Sequence, residues 1–383
     1  MKLQVLALDY DGTIADDGAL DPDNRAAIAE ARASGIFVVL VTGRMLTDLQ
    51  DLVSDLSFVD GIVAENGAVI FFPAKERSLL LGSPPPEELL VTLEQAGVAI
   101  RVGECVVEAD ADDSPAILAA VRTLELPLTL VFNSGRVMVL PQGITKAAGL
   151  RELLRASRLS EHNTVAIGDA ENDHVLLELA EVGATVGWSS QALQASADVT
   201  IAGTGPSAVA PFIRELVARS HLTSPLLGRR HQLTLGYSDS GKLLGSIVPG
   251  RNLLIAGDPH TGKSWLAGLV CEQLLLQRYC ICVIDAEGDY SALQSLPGVE
   301  VWGGDSLLPR PGKLAQLLQY PDVNLVVDLS RLTLDAKRGY VASLLSTLSM
   351  LRRRSGLPHY TVYRPRRGSL LHRWSRSQRP RRP

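Results

Sequence analysis

The chain has 383 residues, of which 46% are hydrophobic and 21% are charged, so it is long enough for two or three globular domains. No apolar run approaches the roughly 18 residues that a membrane span needs, and the first residues enter a strand without a signal-peptide pattern. These features predict a cytoplasmic protein without membrane partners. The net charge of −5 is unevenly distributed, because no acidic residue accompanies the eleven arginines from Arg352 onward.

The first predicted element is a buried strand at residues 4–8, which runs into the sequence "DYDGT" at residues 9–13. Asp9 and Asp11 therefore follow a strand at the position where open α/β sheets bind ligands. A helix is predicted next, because Asp21 is suited to the N-cap of the stretch that follows it. The pattern predicts one βα unit with acidic side chains at the end of its strand.

Two further buried strands end in polar residues. The stretch "FVVLVTGR" brings Thr42 and Gly43 to the end of one strand, and "TVAIGD" brings Asp169 to the end of another. Asp173 lies four residues later and can face the same way as Asp169 where a helix starts. Between these strands, Lys146 is predicted in the first turn of a helix. The carboxyl ends of parallel strands meet at one sheet edge, so we expect these side chains to share a cleft.

This set of side chains is suited to phosphoryl transfer. A carboxylate can attack phosphorus and form an aspartyl-phosphate, which divides hydrolysis into two easier steps. A hydroxyl and an ammonium can bind the phosphoryl group. Several carboxylates in one cleft would repel each other without a cation, and oxygen ligands of this kind favour Mg²⁺. The residues predict Mg²⁺-dependent hydrolysis of a phosphate ester.

Taken in order, these motifs resemble the four motifs of the haloacid dehalogenase (HAD) phosphatase superfamily. The segment "AENGAVI" around Asn66 resembles the Cof-type branch of that superfamily, which includes sucrose-phosphate phosphatases and archaeal phosphoglycolate phosphatases. The resemblance covers residues 1–218 and implies a Rossmann-like α/β core. It also implies that Asp9 is the nucleophile and that Asp11 is the acid and base.

The resemblance implies a role for each matching position. The implied catalytic residues are Asp9, Asp11, Thr42 and Lys146. The implied phosphate-binding residues are Thr42, Gly43, Lys146 and Asn172. The implied Mg²⁺ ligands are Asp9, the backbone carbonyl of Asp11, Asp169 and Asp173, the last directly or through water.

An insert separates the second motif from the lysine. Residues from about 73 to 141 alternate helix-like and strand-like stretches, which predicts a small α+β cap inserted into the core. In the family, such a cap closes over the site and excludes water. A short cap suits a small substrate, such as phosphoglycolate or a sugar phosphate. Arg101 and Arg122 are candidates for binding a substrate carboxylate, although solvated surface charge is the commoner role of arginine.

A linker at residues 219–231 is predicted to lead into a second α/β domain at residues 232–358. Its stretch "NLLIAGDPHTGKSW" has the pattern of strand, phosphate-binding loop and helix, and matches G-x-x-x-x-G-K-[ST]. Backbone N–H groups and a helix N-terminus would bind the phosphates of ATP or another nucleotide. The predicted nucleotide-binding residues are Gly257, Thr261, Gly262, Lys263 and Ser264.

Later phrases of this domain, "IDAEGDY" and "LRRRSGLPH", resemble the FtsK/HerA-type P-loop ATPases, a group that includes DNA translocases. The resemblance implies an Asp-Glu pair on the strand after "GLPH", which would position Mg²⁺ and activate water. No Asp or Glu follows Asp335. The P-loop domain is therefore predicted to be incomplete, and its ATPase activity stays open.

The basic tail, residues 359–383, has three interpretations. Its arginines suit the neutralisation of nucleic-acid phosphates, and its composition equally suits a solvated, disordered end. The third interpretation, which we favour, is a frameshift or truncation that replaced the last part of the ATPase domain. Its motivation is the abrupt loss of acidic residues.

The whole sequence predicts a Mg²⁺-dependent phosphatase that acts on a small phosphorylated metabolite and carries a second, nucleotide-binding domain. One alternative is a nucleotide-binding or DNA-translocase-like ATPase in which the HAD domain is regulatory. Another is a bifunctional protein with both activities. A complete set of phosphatase motifs beside an incomplete ATPase favours the first of these hypotheses.

Overall fold

The computed structural model describes residues 1–133, 135–219, 231–247 and 252–364. The chain divides into two compact units, Met1–Arg230 and His231–Pro383. Among the described residues, no helix combines the length and the apolar character needed to cross a membrane. The predicted linker lies almost entirely outside the described residues, and so does the basic tail from residue 365 onward.

The N-terminal unit alternates strands and helices. Its strands are β1 (Val5–Asp9), β2 (Ala15–Asp16), β3 (Ala19–Leu20), β4 (Phe37–Val41), β5 (Gly61–Ala64), β6 (Val69–Phe72), β7 (Arg77–Leu80), β8 (Arg101–Val102), β9 (Val107–Asp110), β10 (Leu128–Asn133), β11 (Arg136–Pro141), β12 (Thr164–Gly168), β13 (Val182–Val186) and β14 (Val199–Ile201). Its helices are α1 (Pro22–Ala33), α2 (Leu46–Leu52), α3 (Glu87–Gln95), α4 (Ser114–Thr123), α5 (Lys146–Ala156), α6 (His174–Leu179), α7 (Gln191–Ser196) and α8 (Val209–Arg219).

Eight strands form the main sheet in the order β14-β13-β12-β1-β4-β5-β6-β7. The strands from β14 to β5 run parallel, whereas β6 and β7 extend the sheet antiparallel. Apolar clusters of buried residues cover both faces, as expected for a mostly parallel sheet between layers of helices. This arrangement confirms the predicted α/β, Rossmann-like core.

The helix that carries Lys146, the third motif, has a defined start. α5 begins at Lys146, and the hydroxyl of Thr145 in front of it accepts a hydrogen bond from the backbone N–H of Ala148. At α1, the side chain of Asp21 accepts two such bonds from the first turn. These caps satisfy N–H groups that have no partner inside the helix. The cap on α5 fixes Lys146 at the first helical position.

A smaller sheet forms the cap, in the order β10-β11-β9-β8. All its neighbouring strands are antiparallel, and α3 and α4 pack on it around a separate apolar cluster. The predicted α+β character is therefore present, but the predicted start at about residue 73 is too early. β7 lies within the predicted cap, yet it pairs with β6 in the main sheet. Its backbone satisfies its hydrogen bonds there, so the cap starts after β7.

The C-terminal unit is also built from strands and helices. Its strands are β15 (Leu233–Tyr237), β16 (Leu243–Ile247), β17 (Ile281–Asp285), β18 (Val299–Gly303), β19 (Asn324–Asp328) and β20 (Tyr360–Arg364), and its helices are α9 (Lys263–Leu276), α10 (Pro311–Leu317) and α11 (Leu334–Ser355). β15 and β16 form a hairpin, and the other four strands form a parallel sheet in the order β18-β19-β17-β20.

Two predictions for this unit are wrong. Residues 252–257, predicted as the strand before the phosphate-binding loop, form no strand, and the side chains of Leu253 and Leu254 are exposed. No strand in the described part of the chain pairs with them, so they lack the hydrogen bonds of a sheet. The predicted tail, residues 359–383, begins too early, because residues 360–364 form β20 and pair with β17. The hydrogen bonds between β20 and the buried strand β17 outweigh the basic composition of the residues that follow.

Candidate active site

Asp9 is the last residue of β1, and the ends of its neighbouring strands bring other predicted residues toward it. β1 pairs with β4 on one side and with β12 on the other. Thr42 follows β4 directly, and Asp169 follows β12. Lys146 comes from the start of α5. At this carboxyl edge of the sheet, side chains of the second, third and fourth motifs therefore lie around Asp9 of the first motif.

A cluster of side chains contains the buried Asp9, Asp173 and Lys146 and the partly exposed Asp169. The Nζ atom of Lys146 donates hydrogen bonds to Oδ1 of Asp9 at 2.5 Å and to Oδ1 of Asp173 at 2.7 Å. Carboxylate oxygens of the three aspartates lie within 4.8 Å of one another. Lys146 is only 2% exposed, so its ammonium depends on these carboxylates for compensation of its charge.

Burial dominates the electrostatics of the cluster. Burial raises the pKa of the Asp9 carboxyl well above its usual value, Asp173 and Asp169 raise it further, and Lys146 opposes them. Burial also raises the pKa of Asp169. Burial alone would lower the pKa of Lys146, yet the carboxylates of Asp173 and Asp9 outweigh it and raise that pKa. Three carboxylates share one ammonium, so the cluster carries an excess of negative charge.

The loop after β1 requires a glycine at position 12. Gly12 has a φ of +76°, and a Cβ atom there would lie 2.2 Å from Oδ2 of Asp169. The hydroxyl of Thr13 donates to Oδ1 of Asp169 at 2.8 Å, and the indole N–H of Trp188 donates to the carbonyl of Gly12 at 2.9 Å. The loop can therefore approach the Asp169 carboxylate closely and hold it beside the end of β1.

Asp173 uses both of its carboxylate oxygens within the protein. Oδ1 accepts from Lys146, while Oδ2 accepts from the backbone N–H groups of Asp169 and Ala170 at 3.1 and 3.0 Å. The neighbouring Asn172 accepts from the ammonium of Lys146 at 3.4 Å. Asp173 thus orients the lysine and the loop after β12. The sequence leaves open whether Asp173 would bind the metal directly or through water. Because both of its oxygens already accept hydrogen bonds, this arrangement favours contact through water.

Asp11 makes a different contact from the rest of the set. The Nε and Nη2 atoms of Arg44 donate to its two carboxylate oxygens at 2.6 Å each. Its carboxylate is not part of the buried aspartate cluster. Thr42 is buried, and its Oγ1 atom accepts from the backbone N–H of Arg44 at 3.1 Å. The sequence places Arg44 in the second motif, but nothing in the pattern indicates its partner.

A protein-family model described as haloacid dehalogenase-like hydrolase matches residues 6–95 and 100–213. These matched segments include the cluster, the cap and all four motifs, and they make up more than half of the chain. The chain belongs to the haloacid dehalogenase-like hydrolases.

Several curated relatives of this HAD hydrolase are named as phosphatases. The 5-amino-6-(5-phospho-D-ribitylamino)uracil phosphatase YcsE of Bacillus subtilis is 27% identical over 244 residues, which cover 57% of this chain and 97% of the relative. A phosphoglycolate phosphatase of Methanopyrus kandleri is 26% identical over 233 residues, covering 55% of this chain and 95% of the relative. A solved haloacid dehalogenase-like hydrolase from Bacteroides thetaiotaomicron is 19% identical over 56% of this chain and 100% of its own, with a TM-score of 0.48.

The family and its phosphatase relatives confirm the prediction that this HAD hydrolase is a phosphoric monoester hydrolase. The family match ends at residue 213. The resemblance of the C-terminal unit to FtsK/HerA-type ATPases therefore stays a prediction, and so does its binding of ATP.

The residues of the cluster fit a hard divalent cation. Asp9, Asp169 and Asp173 offer only carboxylate oxygens, the donor type that Mg²⁺ prefers. Their negative charge exceeds the positive charge of Lys146. A cation would balance the remainder, so the acidic cluster is compatible with the Mg²⁺ that is typical of HAD hydrolases.

A cleft of about 400 Å³ lies between the cap and this edge of the main sheet. Its lining includes Phe132, Asn133 and Arg136 from the cap and Asp169 and Glu171 from the core. A Cβ atom on Gly43 would lie 3.9 Å from Nδ2 of Asn133, so this cap amide reaches the second motif. The cleft can therefore expose one end of a ligand to the cluster and the other end to the cap.

Neither arginine that the sequence singled out in the cap lines this cleft. Arg101 is paired with Asp48 and Glu108, and Arg122 lies exposed on α4. Arg136, which the sequence reasoning missed, lines the cleft and pairs with Glu108 at 2.8 Å. The only available signal was its position beside the tight turn between two predicted strands.

The five predicted nucleotide-binding residues lie together in the C-terminal unit. α9 begins at Lys263, and Gly262 in front of it has a left-handed φ of +84°. The hydroxyl of Thr261 donates to the carbonyl of Asp258 at 2.7 Å, and the ammonium of Lys263 donates to the same carbonyl. The helix and the loop follow the prediction, but the strand that should precede Gly257 is missing.

Proposed function

We propose that the N-terminal unit hydrolyses small phosphate monoesters through a phosphoenzyme on Asp9. The observation that carries this proposal is the buried contact of 2.5 Å between Lys146 and Asp9 at the carboxyl edge of the sheet. An ammonium at this position can stabilise the charge of phosphoryl oxygens as the carboxylate approaches phosphorus. Burial keeps bulk water away from the same contact, which strengthens it.

The proposed reaction has two steps. An oxygen of Asp9 attacks the phosphorus, the bond from phosphorus to the ester oxygen breaks, and Asp11 protonates the leaving alcohol. Asp11 then takes a proton from a water molecule as that water attacks the phosphorus, which releases phosphate and restores the carboxylate of Asp9. Because Arg44 holds both oxygens of Asp11, this ion pair must open before the proton transfer. Thr42, with Gly43 and Asn172, completes the proposed phosphoryl site.

The proposed Mg²⁺ ligands are Asp9, the backbone carbonyl of Asp11 and Asp169, with Asp173 acting directly or through water. When bound, Mg²⁺ would neutralise charge between the carboxylates and the phosphoryl oxygens. The hydroxyl of Thr13 and the bare Cα of Gly12 would keep the Asp169 carboxylate oriented for this role.

The proposed substrate is a small phosphorylated metabolite of the phosphoglycolate or sugar-phosphate class. Support comes from relatives named for phosphoglycolate and for a phosphorylated ribityl compound. The cleft volume of about 400 Å³ also suits a leaving group of this size. Asn133 and Arg136 of the cap line this cleft and are the proposed contacts of the cap with the leaving group.

A screen of phosphorylated metabolites against wild type and Asp9→Asn tests this function. Wild type should release phosphate from at least one small ester in a Mg²⁺-dependent reaction, and Asp9→Asn should release none. Turnover that is unchanged in Asp9→Asn would rule out the proposed mechanism.

A second candidate function is nucleotide binding by the C-terminal unit. It is favoured by the start of α9 at Lys263, directly after the glycine-rich loop. Hydrolysis of ATP has less support, because Arg364 lies in register with Asp285 at the end of β20, where the family places acidic residues. We therefore propose that ATP is a ligand of this unit and that the HAD domain performs the chemistry.

Lys263→Ala separates the hypotheses. Titration calorimetry should detect binding of ATP to wild type and a loss of that binding in Lys263→Ala, while phosphate release from small esters continues. If Lys263→Ala removed all hydrolysis, the alternative of an ATPase with a regulatory HAD domain would be favoured. Resequencing the codons for residues 350–370 tests the proposed frameshift, and an intact reading frame in independent reads would contradict it.

A further inference from the structure

Glu65 is a buried carboxylate outside the aspartate cluster. It follows β5 and is 1% exposed, and no cation forms a salt bridge with it within the described residues. Its Oε1 and Oε2 atoms accept hydrogen bonds from the backbone N–H groups of Glu104 and Cys105, at 2.9 Å each. Burial raises the pKa of Glu65, and these two bonds oppose the increase. The carboxylate is thus bound by the backbone of Glu104 and Cys105. We name residues 103–105 of the cap the cap turn.

The backbone around Glu65 is fixed to the proposed phosphoryl site. Residues 65–67, which we name the core turn, include two non-glycine residues with positive φ, Glu65 at +52° and Asn66 at +54°. This conformation is uncommon and needs support from its surroundings. The N–H of Asn66 donates to the carbonyl of Thr42, and a Cβ on Gly67 would lie 2.0 Å from the carbonyl of Thr145. The core turn therefore packs between Thr42 and the start of α5.

The cap turn lies where the two connections between core and cap pass each other. The Sγ atom of Cys105 donates to the carbonyl of Gly82 on the first connection, at 3.2 Å. A Cβ on Gly82 would lie 2.8 Å from Pro141, the last residue of β11, where the second connection begins. A Cβ on Gly103 would lie 2.7 Å from Oε1 of Glu65. The close approach of the two turns therefore depends on the missing side chain of Gly103.

We propose, building on the proposed phosphatase function, that Glu65 is a positioning residue that sets the orientation of the cap over the active site. It connects the hinge side of the cap to the core turn, which packs against Thr42 and the start of α5. The core binds the phosphoryl group, whereas the cap faces the leaving group across the cleft. A loosened connection therefore weakens the reaction of a substrate that reaches the cap more than that of a substrate that does not.

Steady-state kinetics with two substrates tests this role. The first is the most active sugar phosphate of the metabolite screen, and the second is acetyl phosphate, whose short leaving group fills much less of the cleft below the cap. Glu65→Gln should lower kcat/KM for the sugar phosphate by about tenfold or more, and for acetyl phosphate by less than about threefold. Equal losses for both substrates, or no loss for the sugar phosphate, would overturn the proposal, since a general structural defect affects both alike.

The opposite side of the contact provides a second variant. Gly103 does not have a positive φ, so Gly103→Ala is tolerated by the backbone and acts through the collision of its Cβ with Glu65. Gly103→Ala should change the ratio of the two kcat/KM values in the same direction as Glu65→Gln. It keeps the proposal testable even if Glu65→Gln fails to fold. In a Glu65→Ala background the added methyl group should have little further effect, because the two changes disturb one contact. Independent, additive effects would contradict the proposal.

Glu104→Gln is the matched control. It removes a charge from the exposed part of the cap turn but keeps the backbone N–H that Glu65 accepts, so both kcat/KM values should stay near those of wild type. The same loss of selectivity in Glu104→Gln would overturn the role of Glu65. Turnover that persists in Asp9→Asn would overturn the phosphatase proposal and this one together. Asp9-dependent turnover with equal losses in Glu65→Gln overturns this one alone.

Discussion

Replacing Lys146 by methionine tests the electrostatic balance of the buried cluster. Methionine keeps the length and apolar character of the stem, but it removes the ammonium that donates to Asp9 at 2.5 Å and to Asp173 at 2.7 Å. Removing one partner of a buried ion pair costs about 3–5 kcal/mol, because it leaves buried charge without compensation. We expect the free energy of unfolding of the N-terminal unit to fall by this amount in a chelating buffer near neutral pH.

The loss should depend on pH and on metal. Without the ammonium, the pKa values of the Asp9 and Asp169 carboxyl groups, which burial already raises, rise further above those of the unfolded chain. Groups of this kind stabilise the folded state at low pH and lose that contribution as pH rises. The difference in the free energy of unfolding between variant and wild type should therefore shrink as the pH falls from about 8 to about 6. Added Mg²⁺ should restore part of the stability of the variant, because it replaces the missing positive charge.

Hydrogen exchange of the full chain in urea measures this effect, with peptides from residues 1–219 reporting on the N-terminal unit. Lys75→Met, an exposed lysine of the same unit, is the control and should change its stability by less than about 0.5 kcal/mol. A loss below about 1 kcal/mol in Lys146→Met, or a loss that is independent of pH and Mg²⁺, would refute the electrostatic reasoning.

Three further predictions address single residues. Gly12→Ala should lower kcat by about a hundredfold or more in steady-state assays, because its Cβ would lie 2.2 Å from the Asp169 carboxylate; normal turnover would show that this carboxylate is dispensable. Because burial, with a smaller contribution from nearby carboxylates, raises the pKa of Glu65, wild type should lose Tm relative to Glu65→Gln as pH rises from about 5 to 7.5; a pH-independent difference would contradict this. Lys263→Ala should lose ATP binding in calorimetry and keep ester hydrolysis; retained ATP binding would exclude this loop as the site.

The sequence predicted the part of the fold that depends on local patterns. Apolar runs followed by polar residues located β1, β4 and β12, and Lys146 lies in the first turn of a helix, as predicted. The approach of Asp9 and Asp169 followed from the rule that parallel strands end at one sheet edge, whereas the position of Lys146 beside them was implied by the family resemblance. Their distances and the burial that raises the pKa of Asp9 depend on packing and were not predictable.

The failures concern contacts between distant segments. Residues 252–257 have the composition of a strand but no neighbour to pair with, whereas residues 360–364 lead into a basic stretch and still complete a sheet. The pairing of Arg44 with Asp11 and the entry of Arg136 into the cleft depend on how the loops and cap approach the core. No local pattern encodes such distances, so the sequence named other arginines in the cap.

The most direct test of the proposed mechanism is chemical trapping of the phosphoenzyme. Wild type is mixed with Mg²⁺ and the best ester of the metabolite screen, quenched in acid and treated with borohydride, which reduces an aspartyl-phosphate to homoserine. Mass spectrometry of the peptide that contains residues 1–25 then locates the modified residue. The mechanism predicts modification of Asp9 in wild type and none in Asp9→Asn. Rapid turnover with an unmodified Asp9, or a label on another residue, would contradict it.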